Sequence, residues 1–253
     1  RYSAKNIPVA ISLQAYSPFI PLNAEDSGLP VTILSFEIDN QSSSAVNVSL
    51  TGWLENKSSI YSADSEEYFR INESTTEEGL AGIMGSSASY NWVDETFEHA
   101  GDFGNFFLAS FNPDTKLNSD ASVSLHDDFF DIVREGRIKI EQRKAIASVG
   151  NSIDLAPGSK ARLNYAIAWY FPNLSFELIR KEGGRYYAKQ FKSSLDVARY
   201  VHKHYDRLSS ETRTWCDTWY HQSTLPYWFL ERTFLNISTL ATTTSHRFES
   251  GRF

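Results

Sequence analysis

The sequence predicts a mainly β protein, an N-terminal β-sandwich followed by a helical segment that enters something larger. Three observations carry that expectation. Between Ile7 and Tyr170, short runs alternate apolar and polar residues in the strand manner, with turn residues between them. Near Pro172 the texture changes, and from Ser194 to Trp219 apolar residues recur at helical spacings without a proline. A last run, Thr224 to Thr242, is apolar on most sides of a helix and therefore needs partners on most sides.

Taken in order, residues 7 to 16 place Val9, Ile11 and Leu13 on one strand face. Ser17 to Pro30 holds three prolines and a glycine, which break both helix and ladder, so a long ordered loop is expected. Val31 to Asp39 reads as a strand, Asn40-Gln-Ser-Ser-Ser as a polar turn and Ala45 to Trp53 as a second strand, together a hairpin. Residues 56 to 79, rich in Ser, Glu and Asp, suggest an exposed excursion. Leu80 to Trp92 predicts two strands around Gly85-Ser-Ser, and Phe103 to Phe111, Ala121 to Leu125 and Ser152 to Leu155 predict further ones. Ala161 to Tyr170 alternates well, with Leu163, Tyr165, Ile167 and Trp169 opposing Arg162, Asn164, Ala166 and Ala168. The turn before it, Asp154 to Lys160, carries Pro157 to preset φ and Gly158 to supply a positive φ.

The helical part opens after Gly183-Gly184, with Val197, Val201, His204 and Leu208 on one line and Leu195, Ala198, His202 and Tyr205 on another. Pro226, behind Ser223 and Thr224, is a suitable helix start, because its missing N–H would go unpaired there anyway. Beyond it Tyr227, Leu230, Phe234, Ile237 and Ala241 share one face, and Trp228, Phe229, Leu235 and Leu240 fall off that stripe. The domains read as 1–175 for the sandwich, 176–193 for a hinge, and 194–253 for the helical segment.

Composition excludes several function classes. Net charge is −7 and no window gathers basic residues, so nucleic acid is disfavoured as a partner. No apolar run approaches the roughly 20 residues of a membrane span. One cysteine, Cys216, rules out an internal disulfide and leaves the compartment open. The chain opens on Arg1, which reads as a trimmed start from which any signal peptide is gone. Six Asn-x-Ser sequons, at Asn40, Asn47, Asn56, Asn72, Asn173 and Asn236, bear on glycosylation only in a secreted eukaryotic setting.

Chemical motifs are few. Asp127-Asp-Phe-Phe-Asp131 matches an acidic pattern that holds magnesium on helices; among predicted strands a solvated edge or turn is the better reading. His202 and His204 point to different helical faces, so a shared metal is disfavoured. Cys216, between Trp215 and Trp219, reads as buried and inert. No cofactor fingerprint is present, and Gly101-Asp-Phe-Gly104 lacks the third glycine of a dinucleotide site. Trp53, Trp92 and Trp169 are candidate sugar-stacking residues, though each suits the core better.

Two long stretches carry a family resemblance. Tyr16-Ser-Pro-Phe-Ile-Pro-Leu-Asn23, with Asp26-Ser-Gly-Leu-Pro-Val-Thr32, resembles the opening of the N-terminal domain of glycoside hydrolase family 116, the non-lysosomal glucosylceramidases and bacterial β-glucosidases. Ser223 to Thr242, with Gly251-Arg-Phe253, is similar to the junction where that family enters its catalytic region. The resemblance implies a sandwich packed on a C-terminal (α/α)6 barrel and hydrolysis of β-glucosides or glucosylceramide with retention. It implies a Glu nucleophile and an Asp acid/base beyond Phe253, so no residue of this chain inherits a catalytic role and no cofactor or metal is expected. The expected partner is the chain's own barrel, with Phe19, Ile20, Leu22, Trp219, Tyr227, Trp228 and Phe234 as candidate interface residues. The alternative is a non-catalytic, carbohydrate-binding β-sandwich.

Overall fold

The computed structural model describes residues 2, 7–62, 67–90, 95–112, 114–118, 138–141, 145–174, 183–234, 236 and 246–253. The strands are β1 (Val9–Tyr16), β2 (Val31–Asn40), β3 (Val46–Glu55), β4 (Tyr68–Glu77), β5 (Leu80–Ser89), β6 (Asn105–Ser110), β7 (Lys116–Asn118), β8 (Ile138–Glu141), β9 (Ile146–Leu155) and β10 (Lys160–Tyr170). The helices are α1 (Ala24–Ser27), α2 (Glu95–Glu98), α3 (Ser194–Lys203), α4 (Tyr205–Tyr220) and α5 (Tyr227–Phe234), with a 3-10 turn at Tyr186–Lys189.

Among the described residues the strands form two antiparallel sheets. A larger one runs β1-β2-β10-β6-β5-β4-β8 and a smaller one runs β3-β9-β7. The alternation read in β2 and β10 decides what each face meets. Leu34, Phe36, Ile38, Leu163, Tyr165 and Ile167 face the small sheet, where they join Val46, Val48, Val149 and Leu155. Val31, Ile33, Ala166 and Ala168 face the other way and bury Val197, Ala198, Val201 and Leu208 of α3 and α4. The molecule thus stacks three layers, small sheet, large sheet and helices. Strand β6, covered on both faces, is apolar at nearly every position rather than alternating. Side chains are small where the helices approach: Ala109 of β6 and Ala166 and Ala168 of β10 are fully buried.

The polar turn after β2 does not make a hairpin. β2 pairs with β1 and β10, and β3 pairs with β9, so the chain crosses from one sheet to the other at that turn. The β9–β10 connection makes the reverse crossing at the same corner, and Asn40 ties the two together. Its Nδ2 donates to the carbonyls of Ser44, Leu155 and Ala156, and its Oδ1 accepts from the Ser42 N–H and hydroxyl. A crossing and a hairpin use the same turn residues, and they differ only in which strand supplies the partner.

Residues 56 to 79 are not an exposed excursion. The segment contains β4, whose Arg70 and Asn72 are buried, and before it Asn56, Ser58 and Ser59 are buried as a polar knot. Asn56 Nδ2 donates to the carbonyls of Ile71 and Ser86 and to Asn72 Oδ1. Hydrogen bonding, not apolarity, brings this stretch inside. Nor does Gly85 punctuate two strands, for β5 runs through it unbroken. A Cβ at Gly85 would lie 2.2 Å from the Phe106 ring, so glycine there makes room for an aromatic.

The helical run is broken into α3 and α4 at His204, whose φ of −111° and ψ of 15° are not helical. Ser193 caps α3, its Oγ accepting the Asp196 N–H at 3.2 Å. The predicted strand at 121–125, the Asp127–Asp131 motif, Trp92, Leu235, Ile237, Leu240 and Ala241 lie outside the described residues, as do residues 176–182 of the hinge.

Candidate domain interface

The proline-rich loop does not stand free. It is clasped to α3 and α4, and Asp26 is the centre of the clasp. Asn23 caps α1 by accepting the Asp26 N–H and donating from Nδ2 to the Asp26 carboxylate at 2.6 Å. That turn places Asp26, only 3% exposed, against Tyr200 and Arg207, each donating to it at 2.8 Å. Burial alone would raise the Asp26 pKa, but the hydrogen bonds from Arg207, Tyr200 and Asn23 and the Arg207 charge together hold it below the usual carboxylate range. Arg207 also reaches Glu211.

The neighbouring Glu25 gathers a second set. It accepts from the Tyr186 hydroxyl, from Gln190 and from Arg247, whose guanidinium lies 3.5 Å from the Tyr186 ring centroid. Further along, the Phe19 N–H donates to Thr212 Oγ1, Phe19 packs on Trp215, and the Tyr16 and Ser209 hydroxyls bond each other. The contacts between α4 and α5 are aromatic. Phe234 of α5 sits among Trp215, Trp219 and Tyr220, with ring centroids 5.2–5.8 Å away.

The seven residues expected at an interface therefore divide. Phe19, Ile20, Trp219 and Phe234 are packed within the chain. Leu22, at φ 63°, is fully exposed, and Tyr227 and Trp228 are 63% and 67% exposed. Leu225 and Phe229 join them at the start of α5, while Leu230 on the opposite side is 1% exposed. Of the helical stripe read in the sequence, Leu230 and Phe234 turn inward and Tyr227 does not.

Other sequence candidates fall elsewhere. His202, within α3, packs on Phe111, and His204, at the helix break, packs on Tyr200. Beside that break Phe111, Asn164, His202 and Tyr205 line an open cleft of about 450 Å³, which the sequence does not foretell. Cys216 is half-buried rather than buried, and burial and the Asp217 charge push its thiol pKa up, away from reactivity. Trp53 is not core but lies 45% exposed on β3. Three sequon asparagines, Asn40, Asn56 and Asn72, are buried. Among the described residues no group of three or more His, Cys, Asp or Glu could hold a metal ion, and no helix is long and apolar enough to cross a membrane.

A glycosidase acid needs a raised pKa at its working carboxyl. The shifted carboxyls of the described residues go the other way. Asp26 and Asp102 are lowered by hydrogen bonds that outweigh burial, and Glu77 is lowered by Arg199. Their geometry is that of structural anchors.

Residues 1–208 match the family described as beta-glucosidase 2, glycosyl-hydrolase family 116 N-term. The chain belongs to that family. The match begins ahead of β1 and ends within α4. Among solved structures, a putative kojibiose phosphorylase from human microbiome is similar at 8% identity with a TM-score of 0.41. That likeness covers 84% of this chain, and the chain spans 21% of the phosphorylase.

Proposed function

We propose that this chain is the N-terminal scaffold of a retaining β-glucosidase or glucosylceramidase-like glycoside hydrolase, and that it supplies no catalytic carboxylate. In this reading residues 1–175 are the sandwich, 176–193 the hinge, and 194–253 the entry to an (α/α)6 catalytic barrel. The observation that carries it is the exposure of Tyr227 and Trp228, with Leu225 and Phe229 beside them, at the start of α5. The barrel covers that face, and Leu22, Leu225 and Phe229 extend the contact. The family match supports the same assignment.

Hydroxyl-radical footprinting tests it. Tyr227 and Trp228 are oxidised readily in the 253-residue chain and are protected in a polypeptide that continues through the proposed barrel. Equal oxidation in both would overturn the interface. A second reading, a sandwich that binds carbohydrate without catalysis, draws on the exposure of Trp53.

A further inference from the structure

One edge of the small sheet is left open. Strand β3 ends that sheet, and among the described residues it pairs with β9 on one side only. The Asn56 N–H donates at 2.7 Å to the carbonyl of Ala145, one step beyond the Glu55–Ile146 pair, which fixes the parity of the ladder. Val46, Val48, Leu50, Gly52 and Leu54 turn their backbone groups toward β9, so the N–H and C=O of Asn47, Ser49, Thr51, Trp53 and Glu55 point away from the sheet. Those outward backbone groups have no partner among the described residues. Proteins usually guard such an edge with a proline, a lysine, a bulge or a short strand. β3 has none of these: it is ten residues long, holds neither Pro nor Lys, and pairs one-to-one with β9 throughout. The end strand of the large sheet, β1, is by contrast bridged by Tyr2.

The open edge also has a floor. The Tyr165 hydroxyl of β10 donates to the Leu50 carbonyl, so β3 lies over β10, while β9 lies over β5 and β6. The next strands of the large sheet, β2 and β1, therefore run on beneath the open edge as a shelf. On the shelf Ile11, Leu13, Leu34 and Phe36 are only half-buried, whereas Leu163 and Tyr165 of β10 are buried. We propose that this shelf receives an extended peptide segment of a separate partner protein, added to β3 as a fourth strand. Paired donors and acceptors recurring about every 7 Å are matched by another extended backbone. The floor selects apolar side chains at every second position of the incoming strand, and the solvent side selects polar ones between them. A second copy of β3 does not fit, because a two-fold axis through the edge would put β1 and β2 of both copies in the same space. The proposed barrel contact lies elsewhere: α5 packs on α4, in the layer on the other side of the large sheet. Strand addition goes beyond the scaffold reading and does not rest on it.

The probe is a ten-residue peptide of β3's own sequence, which alternates apolar and polar side chains and carries no shelf of its own. It is titrated to about 1 mM into the 253-residue chain and followed by NMR-detected amide exchange. It slows exchange of the Asn47, Ser49, Thr51, Trp53 and Glu55 amides and leaves α3 and α4 unchanged. When the peptide's apolar side chains face the floor, its Ser and Thr N–H groups face β3, so N-methylation there weakens binding about tenfold or more. N-methylation at its second Val and first Leu, whose N–H groups face away, leaves binding as it was. Thr51→Pro, which melts like the parent because only an outward N–H is lost, loses the peptide as well. No protection of the five amides, or equal binding by the two N-methylated peptides, overturns strand addition. The polypeptide that continues through the proposed barrel binds the same peptide. Protection of the five amides there before any peptide is added would overturn the assignment to a separate partner. Neither result touches the scaffold reading, which rests on α5.

Discussion

Asp26 joins three levels of this molecule through one carboxylate. Its own N–H is capped by Asn23, its oxygens take Tyr200 and Arg207, and through them the loop near the N-terminus is locked to helices 170 or more residues away. Replacing it with Asn removes the charge that Arg207 faces, and we expect a loss of about 2 kcal/mol at neutral pH. The pH dependence has a definite sign. Because the folded-state pKa lies below its ordinary value, the stabilisation is complete above the unfolded carboxylate range and is lost as pH falls through the lower folded value. Denaturant titrations of Asp26→Asn and parent should therefore converge in acid and separate toward neutrality. None of this pairing was legible in the sequence. Arg207 and Asp26 are separated by 181 positions, and nothing local to either marks the other. Cys216 was easier to read, since two flanking tryptophans predict an apolar setting, although the thiol is only half-buried.

At the scale of elements, strands with a clean period of two were legible and those held by polar contacts were not. The alternation of β10 places Leu163, Tyr165 and Ile167 toward one layer and Ala166 and Ala168 toward the other, as the sequence pattern requires. Strand β4 escaped recognition because its inward residues include Arg70 and Asn72, which look solvated and are instead buried against Ser58 and Asn56. The first expected hairpin failed for a different reason. Turn chemistry fixes how a chain reverses and leaves open which strand receives it. Asn40 makes the decision by satisfying carbonyls from both crossings. Asn40→Ala leaves the Leu155 and Ala156 carbonyls short of a donor at a buried corner, and we expect about 2–3 kcal/mol of destabilisation in thermal or urea unfolding. A loss within experimental error would show that the crossing is held by strand pairing alone.

At the scale of the whole molecule, one sheet serves two cores. Its inner face closes the sandwich and its outer face receives α3 and α4, so the helices are part of the packed body rather than an appendage. The mainly β class and the helices that follow were legible because both periods, two and then three to four, are long and clean. The candidate interface was legible only in part. Composition identified α5 as too apolar for its surroundings, yet only the packing separates Phe234 and Trp219, which turn inward, from Tyr227 and Trp228, which do not. In the proposed reading those exposed residues meet the barrel, and the barrel carries the chemistry.

The most direct measurement is hydrolysis of an aryl β-glucoside by the 253-residue chain beside the polypeptide that continues through the proposed barrel. The scaffold account predicts turnover by the longer polypeptide and none above buffer by the chain itself. Turnover by the chain that disappears when one of its own Asp or Glu residues is replaced would contradict it.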